Sequence, residues 1–238
     1  MEWDAIWKRA RGDLAITTEQ GDGDVFLWEH SSRVATVAQR IILLDEVRVH
    51  DPDEAAVLAA ALYHDAAWAI RCRDGEIDRT EILLSPINDT AAEQAAALLE
   101  ERLADVLPTG SLERAARAIR LMHEREPQSI EAQVVAEANN LEEFGLLSLW
   151  PSIRRGMVEG KGIQAVIESW RRKKEYHFWT ARLRDSFRFD AIRHLASARL
   201  QTLERVMVEL DEQFTGGDIP CSTEPSVKPS ETPSRRTP

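Results

Sequence analysis

Residues 61–70 read ALYHDAAWAI. Eight of the ten suit the interior of a buried helix, and the other two, His64 and Asp65, stand side by side. Asp65 lies three and seven residues after Leu62 and Leu58 and shares their helical face, while His64 falls on the stripe of Val57, Ala60, Ala61 and Trp68. Burying an unpaired carboxylate costs several kcal/mol, on the scale of a whole domain's stability. Asp65 therefore needs a partner, which can be a cation, a metal ion or several hydrogen bonds.

Working outward, the pattern is helical nearly everywhere. Upstream, DPDEAAV offers Asp51 as an N-cap, Pro52 at the first helical position and Asp53 and Glu54 at the positive end of the dipole. This predicts one helix running through His64 and Asp65 to about Ile70. Residues 2–12 form a short helix with Trp3 and Trp7 on one face, and a helix is expected from Val25 to Glu46 after the turn-like GDGD at 21–24. Downstream, Asp74-Gly75 marks a turn, followed by an irregular stretch to Pro86. Asn88 or Asp89 opens a helix closed by Pro108 and Gly110, Ser111 caps one that ends before Pro127, and Ser129 opens one stopped at Gly145. Helical stretches follow at about 151–160, 162–175 and, long and kinked, 177–214. From Thr215 the chain is rich in Pro, Ser and Thr and too polar to offset its ordering entropy. The expectation is one all-α domain over residues 1–214 and a disordered tail over 215–238.

Composition narrows the function classes. A net charge of −11 argues against an obligate nucleic-acid binder, which needs a basic face. Two distant cysteines, Cys72 and Cys221, allow no disulfide framework or Cys-rich zinc site, which suits a reducing cytoplasm. The N-terminus lacks the apolar core of a signal peptide, and no apolar run approaches the ~20 residues of a membrane span. The basic stretches IRRG at 153–156 and WRRKKEYHFW at 170–179 read as solvated helix faces, because RRKK spreads around most of a helical cylinder. Oligomeric state leaves no mark in the sequence.

Other polar residues repeat the anomaly of the doublet. His30 heads the stripe of Val34, Val37 and Ile41, and His123 follows Leu112, Ala116 and Ile119 on one face. Asn139 lies four residues after Val135 on the inner side of its helix. One inward histidine is ordinarily a hydrogen-bonded core residue. Several imidazoles and a carboxylate from separate helices can instead form an oxygen/nitrogen site for Zn, Mn, Fe, Ni or Mg.

The order EHSSRVATVAQRI (29–41), DPDEAAVLAAALYHDAAW (51–68) and VVAEANNLEEFG (134–145) resembles the HD-domain superfamily of metal-dependent phosphohydrolases, closest to its small single-domain members. The hallmark of that family is a histidine on one helix, a His-Asp doublet on a later one and a distant aspartate on a third. Here His30, His64, Asp65 and Asn139 occupy those positions, and WTARLRDSFRFDAIRHLASARLQTLERVMVEL (179–210) is similar to the long C-terminal helices. The resemblance covers about residues 20–210 and implies an HD-domain-like helical bundle.

It also implies hydrolysis of a phosphate ester or nucleotide. A divalent metal (Mn, Co, Ni, Fe, Zn or Mg) would be held by His30, His64, Asp65 and Asn139. Asp65 would orient or deprotonate the attacking water, His123 would contact phosphate, a second metal or the leaving oxygen, and Arg33 would grip a phosphate unless it forms a surface ion pair. The departure is Asn139, where the family usually has an aspartate: its amide can ligate but brings no charge, which weakens the hold on a hard dication. Glu142 and Glu143, at i+3 and i+4 from Asn139, either compensate or remain solvated surface carboxylates. The alternative to an enzyme is a degenerate HD module that binds a nucleotide or a protein without catalysis.

Overall fold

The computed structural model describes residues 2–17, 23–84 and 88–220. The helices are α1 (Glu2–Asp13), α2 (Phe26–Ile41), α3 (Asp45–Arg48), α4 (Glu54–Tyr63), α5 (Ala66–Arg73), α6 (Asp89–Leu103), α7 (Thr109–Leu121) and α8 (Ile130–Leu141). They continue as α9 (Leu149–Val158), α10 (Ile163–Glu175), α11 (Phe178–Asp185) and α12 (Asp190–Thr215). A two-residue antiparallel pairing of Ile16–Thr17 with Gly23–Asp24 is the only extended structure among the described residues. The fold is all-α, as the sequence predicts. Among the described residues, no helix is long and apolar enough to cross a membrane.

α4 is the axis of the molecule. Every residue from Ala56 to Tyr63 is fully buried, and a helix apolar on all sides has nowhere to go but the centre. Its five alanines let α1, α2, α6, α7 and α8 pack closely around it. A second, smaller cluster of Val166, Ile167, Leu203 and Met207 joins α10 to α12. Glu46 ties this outer layer to the bundle by accepting the Asp190 and Ala191 backbone N–H groups, each at 3.0 Å, at the start of α12.

Several boundaries differ from expectation. The first long helix stops at Ile41 and resumes as α3 after an extended Leu44. Asp53, not Asp51, caps α4: its Oδ1 accepts the Ala56 N–H at 3.0 Å, whereas Asp51 turns through a left-handed φ of 50°. Ser111 is not a cap either. α7 already starts at Thr109, and the Ser111 hydroxyl donates to Asp53 Oδ2 at 2.7 Å, tying α7 to the start of α4.

α7 ends at Leu121, so His123 lies in the turn beyond it and not on its face. The kink expected within 177–214 is a full break at 186–189. Of the expected disordered tail, residues 221–238, with Cys221, lie outside the described residues, as do Gly21, Asp22 and Pro86.

The most consequential difference is at the doublet. The helix expected to run through to Ile70 breaks between Tyr63 and Ala66, with Asp65 at φ −107°, ψ 14°. Adjacent residues of a continuous helix do not face each other. The break is what allows His64 and Asp65 to aim at the same point.

Candidate metal centre

Three helical segments supply that point. His30 comes from the first turns of α2, His64 from the end of α4, and Asp65 from the break before α5. His30 Nε2 lies 3.2 Å from His64 Nε2 and 3.2 Å from Asp65 Oδ2, and His64 Nε2 lies 3.3 Å from Asp65 Oδ2. Asn139, from α8, lines the same cavity as His30 and Asp65. His64 Nδ1 donates to the Ala61 carbonyl at 2.9 Å, so in the neutral ring Nε2 carries the lone pair and faces the cluster.

These residues fit a divalent metal. Three donors spaced this way are what surrounds a shared point about 2.1 Å from each. His30, His64 and Asp65 are also the one group of histidine and acidic ligand atoms among the described residues that converges so closely while mostly buried. Electrostatics agree. Burial opposes ionisation of both members of the doublet, yet Asp65 holds the His64 imidazole above its ordinary value. The His64 and His30 imidazoles in turn hold the Asp65 carboxyl far below the usual range. Asp65 is thus a fixed anion inside the protein, as a cation ligand should be.

The cluster opens into a cavity of about 930 Å³. Eight of its lining side chains are Lys or Arg and six are Asp or Glu, in a chain that carries 30 of the former and 41 of the latter. In an acidic protein, the lining of this cavity carries more cations than anions. Arg33, one turn after His30, donates Nε to Glu142 at 2.8 Å, which leaves its two Nη groups without a partner among the described residues. His123 stands exposed on the cavity wall.

Of the two readings open for Glu142, the solvated surface carboxylate does not hold. Its side chain is 11% exposed, and Oε2 approaches His30 Nδ1 to 3.9 Å, behind the ring edge that faces the cluster. Glu143 is exposed and pairs with Arg182 at 2.9 Å.

The basic stretches need correction at Lys173. Arg155 and Arg172 are exposed, as expected of solvated faces, and also line the cavity, whereas Lys173 lines it half-buried. A signal for Lys173 was present: Val166, Trp170 and Lys173 recur at i, i+4 and i+7, the same pattern of a polar residue on an apolar stripe that singles out His30. Arg154, expected on a solvated face, is half-buried. Its guanidinium donates to the Ile82 carbonyl and lies 4.2 Å over the Phe26 ring, contacts that no local pattern shows.

Residues 27–143 match the family model of the HD domain, a span that contains His30, His64, Asp65 and Asn139. Among solved structures, that of Bacillus subtilis YpgQ in complex with ADP is similar at 23% identity and a TM-score of 0.55, over 89% of this chain and 94% of that one. An HD-superfamily hydrolase from Bacillus thuringiensis is similar at 16% identity and a TM-score of 0.56, over 90% and 99% of the two chains. At these identities the likeness is one of fold. No curated protein matches the sequence.

Proposed function

We propose that this chain, an HD-domain protein over residues 27–143, hydrolyses a phosphate ester or a nucleotide at this site with the help of a divalent metal. The observation that carries this reading is the convergence of His30, His64 and Asp65 at the head of a cavity rich in cations. The complex of YpgQ with ADP supports a nucleotide as the phosphorylated substrate.

In this reading His30, His64, Asp65 and Asn139 hold the metal, which when bound supplies Lewis acidity toward water and phosphoryl oxygen. The side chains do the rest. Asp65 orients the attacking water. Arg33 grips the phosphoryl oxygens through its two Nη groups. The water oxygen bonds to phosphorus as the bond to the leaving oxygen breaks. His123 contacts the phosphate, the leaving oxygen takes a proton from solvent, and the water's own proton passes to solvent. We place this chemistry in a domain spanning 1–214, in a reducing cytoplasm where the free thiol of Cys72 persists.

Asn139 favours a second reading, a degenerate module that binds a nucleotide without turning it over. One experiment separates the two: elemental analysis of the purified protein, then a panel of phosphoesters and nucleotides with Mn, Co, Ni or Mg. Turnover that vanishes in Asp65→Ala supports the enzyme. Turnover that survives Asp65→Ala removes it, and activity gained only in Asn139→Asp supports the degenerate module.

A further inference from the structure

Three of the eight cations of the cavity have an acidic partner: Arg33 has Glu142, Arg182 has Glu143 and Lys161 has Glu159. Arg125, Arg155 and Arg172 are exposed, so water answers their charge, and the half-buried Arg188 stands near the Glu137 carboxyl. Lys173 differs. It is half-buried on α10, its ammonium lies 5.2 Å from the Phe178 ring and 5.3 Å from the Trp179 ring, and it makes no hydrogen bond or ion pair among the described residues. Glu143, an acid whose charge acts on it, is engaged by Arg182.

Cation–π contact compensates a lysine only in part, and an ammonium has three donors to satisfy. Burial accordingly lowers the Lys173 ammonium from its ordinary value. A desolvated cation on an aromatic floor, facing the cavity that the His30–His64–Asp65 cluster heads, is what an anionic group would complete. Arg33, beside the cluster, already provides for one phosphate.

We propose that Lys173 forms a second anion subsite of this cavity, so that the ligand it takes carries at least two phosphate groups, one at the cluster and one on Lys173. This rests on the reading of the cavity as a phosphate site. It goes further by selecting diphosphate-bearing compounds over monophosphates, with the Phe178 and Trp179 rings holding the lysine in place.

The test is calorimetric titration of the full chain with inorganic pyrophosphate and with inorganic phosphate, at a constant excess of Mg²⁺, for wild type, Lys173→Gln, Lys173→Met and Lys173→Arg. Methionine keeps the apolar stem over the rings, so a fault in packing cannot pass for a loss of charge. Pyrophosphate affinity is expected to fall roughly tenfold in the Gln and Met variants, the loss of one charge-assisted hydrogen bond, and to return with Arg. Phosphate affinity should change less than about twofold, since its subsite lies elsewhere. Equal losses for both probes, an unchanged pyrophosphate affinity, or a wild type that binds pyrophosphate no better than phosphate overturns the proposal. Because hydrolysis is not read, pyrophosphate binding through Lys173 without any turnover would leave the subsite standing and defeat the hydrolase reading alone.

Discussion

Arg33 donates its Nε hydrogen to Glu142 at 2.8 Å, across 109 residues of sequence, and the same carboxylate oxygen stands 3.9 Å behind His30. One side chain thus steadies a phosphate-gripping arginine and lies beside a histidine of the metal cluster. Carboxylates behind ligating histidines commonly set ring orientation and basicity. Glu142→Gln keeps the shape and removes the charge. Metal affinity, measured by competition with a chromogenic chelator, is expected to fall roughly tenfold with little change in thermal midpoint. An unaltered affinity would mean that Glu142 serves Arg33 alone.

Asn139→Asp restores a second anion to a cluster whose only fixed negative charge is Asp65. Hard divalent ions prefer charged oxygen, so Mn²⁺ or Mg²⁺ affinity should rise, by about tenfold or more. In the metal-free protein the added carboxylate would lie beside Asp65, and like charges this close raise each other's affinity for protons. The variant should therefore gain more thermal stabilisation from added metal than wild type does. A metal response equal to that of wild type would show that residue 139 does not contact the ion.

How much of this was legible in the sequence depended on whether the signal was local. His30, His64 and Asp65 stood out because each is a polar residue on an apolar stripe, and a stripe can be read within a few turns of helix. Lys173 obeyed the same rule but was hidden in the RRKK run, whose spread of charge drew attention to the whole cylinder and away from one face. The break between α4 and α5 could not be foreseen, since no glycine or proline marks it. It follows from where His64 and Asp65 must point. Glu142 with Arg33, and Glu46 with α12, are meetings of distant segments that no window of sequence contains.

Glu46 also allows a test of how the outer layer is attached. Its two oxygens accept two of the N–H groups that a helix start leaves without partners. Glu46→Ala removes them and should cost about 1 kcal/mol of stability in a urea titration. Increased hydrogen exchange should be confined to the first turn of α12. If exchange rises throughout α12, this contact docks the helix as well as capping it.

Glu137 gives the protein a pH dependence with a defined sign. It is fully buried in α8 and accepts the Phe189 N–H at 3.0 Å and the Arg188 N–H, yet desolvation outweighs these bonds and pushes its carboxyl from 4.5 up to about 7. A group whose folded pKa is raised contributes stability that is whole below its unfolded value and is lost as pH rises through the folded one. The contribution from Glu137 is therefore complete below about pH 4.5 and gone above about pH 7, a loss on the order of 3 kcal/mol. Glu137→Gln retains an acceptor for both N–H groups but cannot ionise. Compared by urea denaturation at pH 5 and pH 8, the variant should gain on wild type by that order as pH rises. Parallel losses in both proteins would assign the dependence to other groups, and a widening gap in wild type's favour would mean that the two N–H bonds hold the carboxylate ionised throughout.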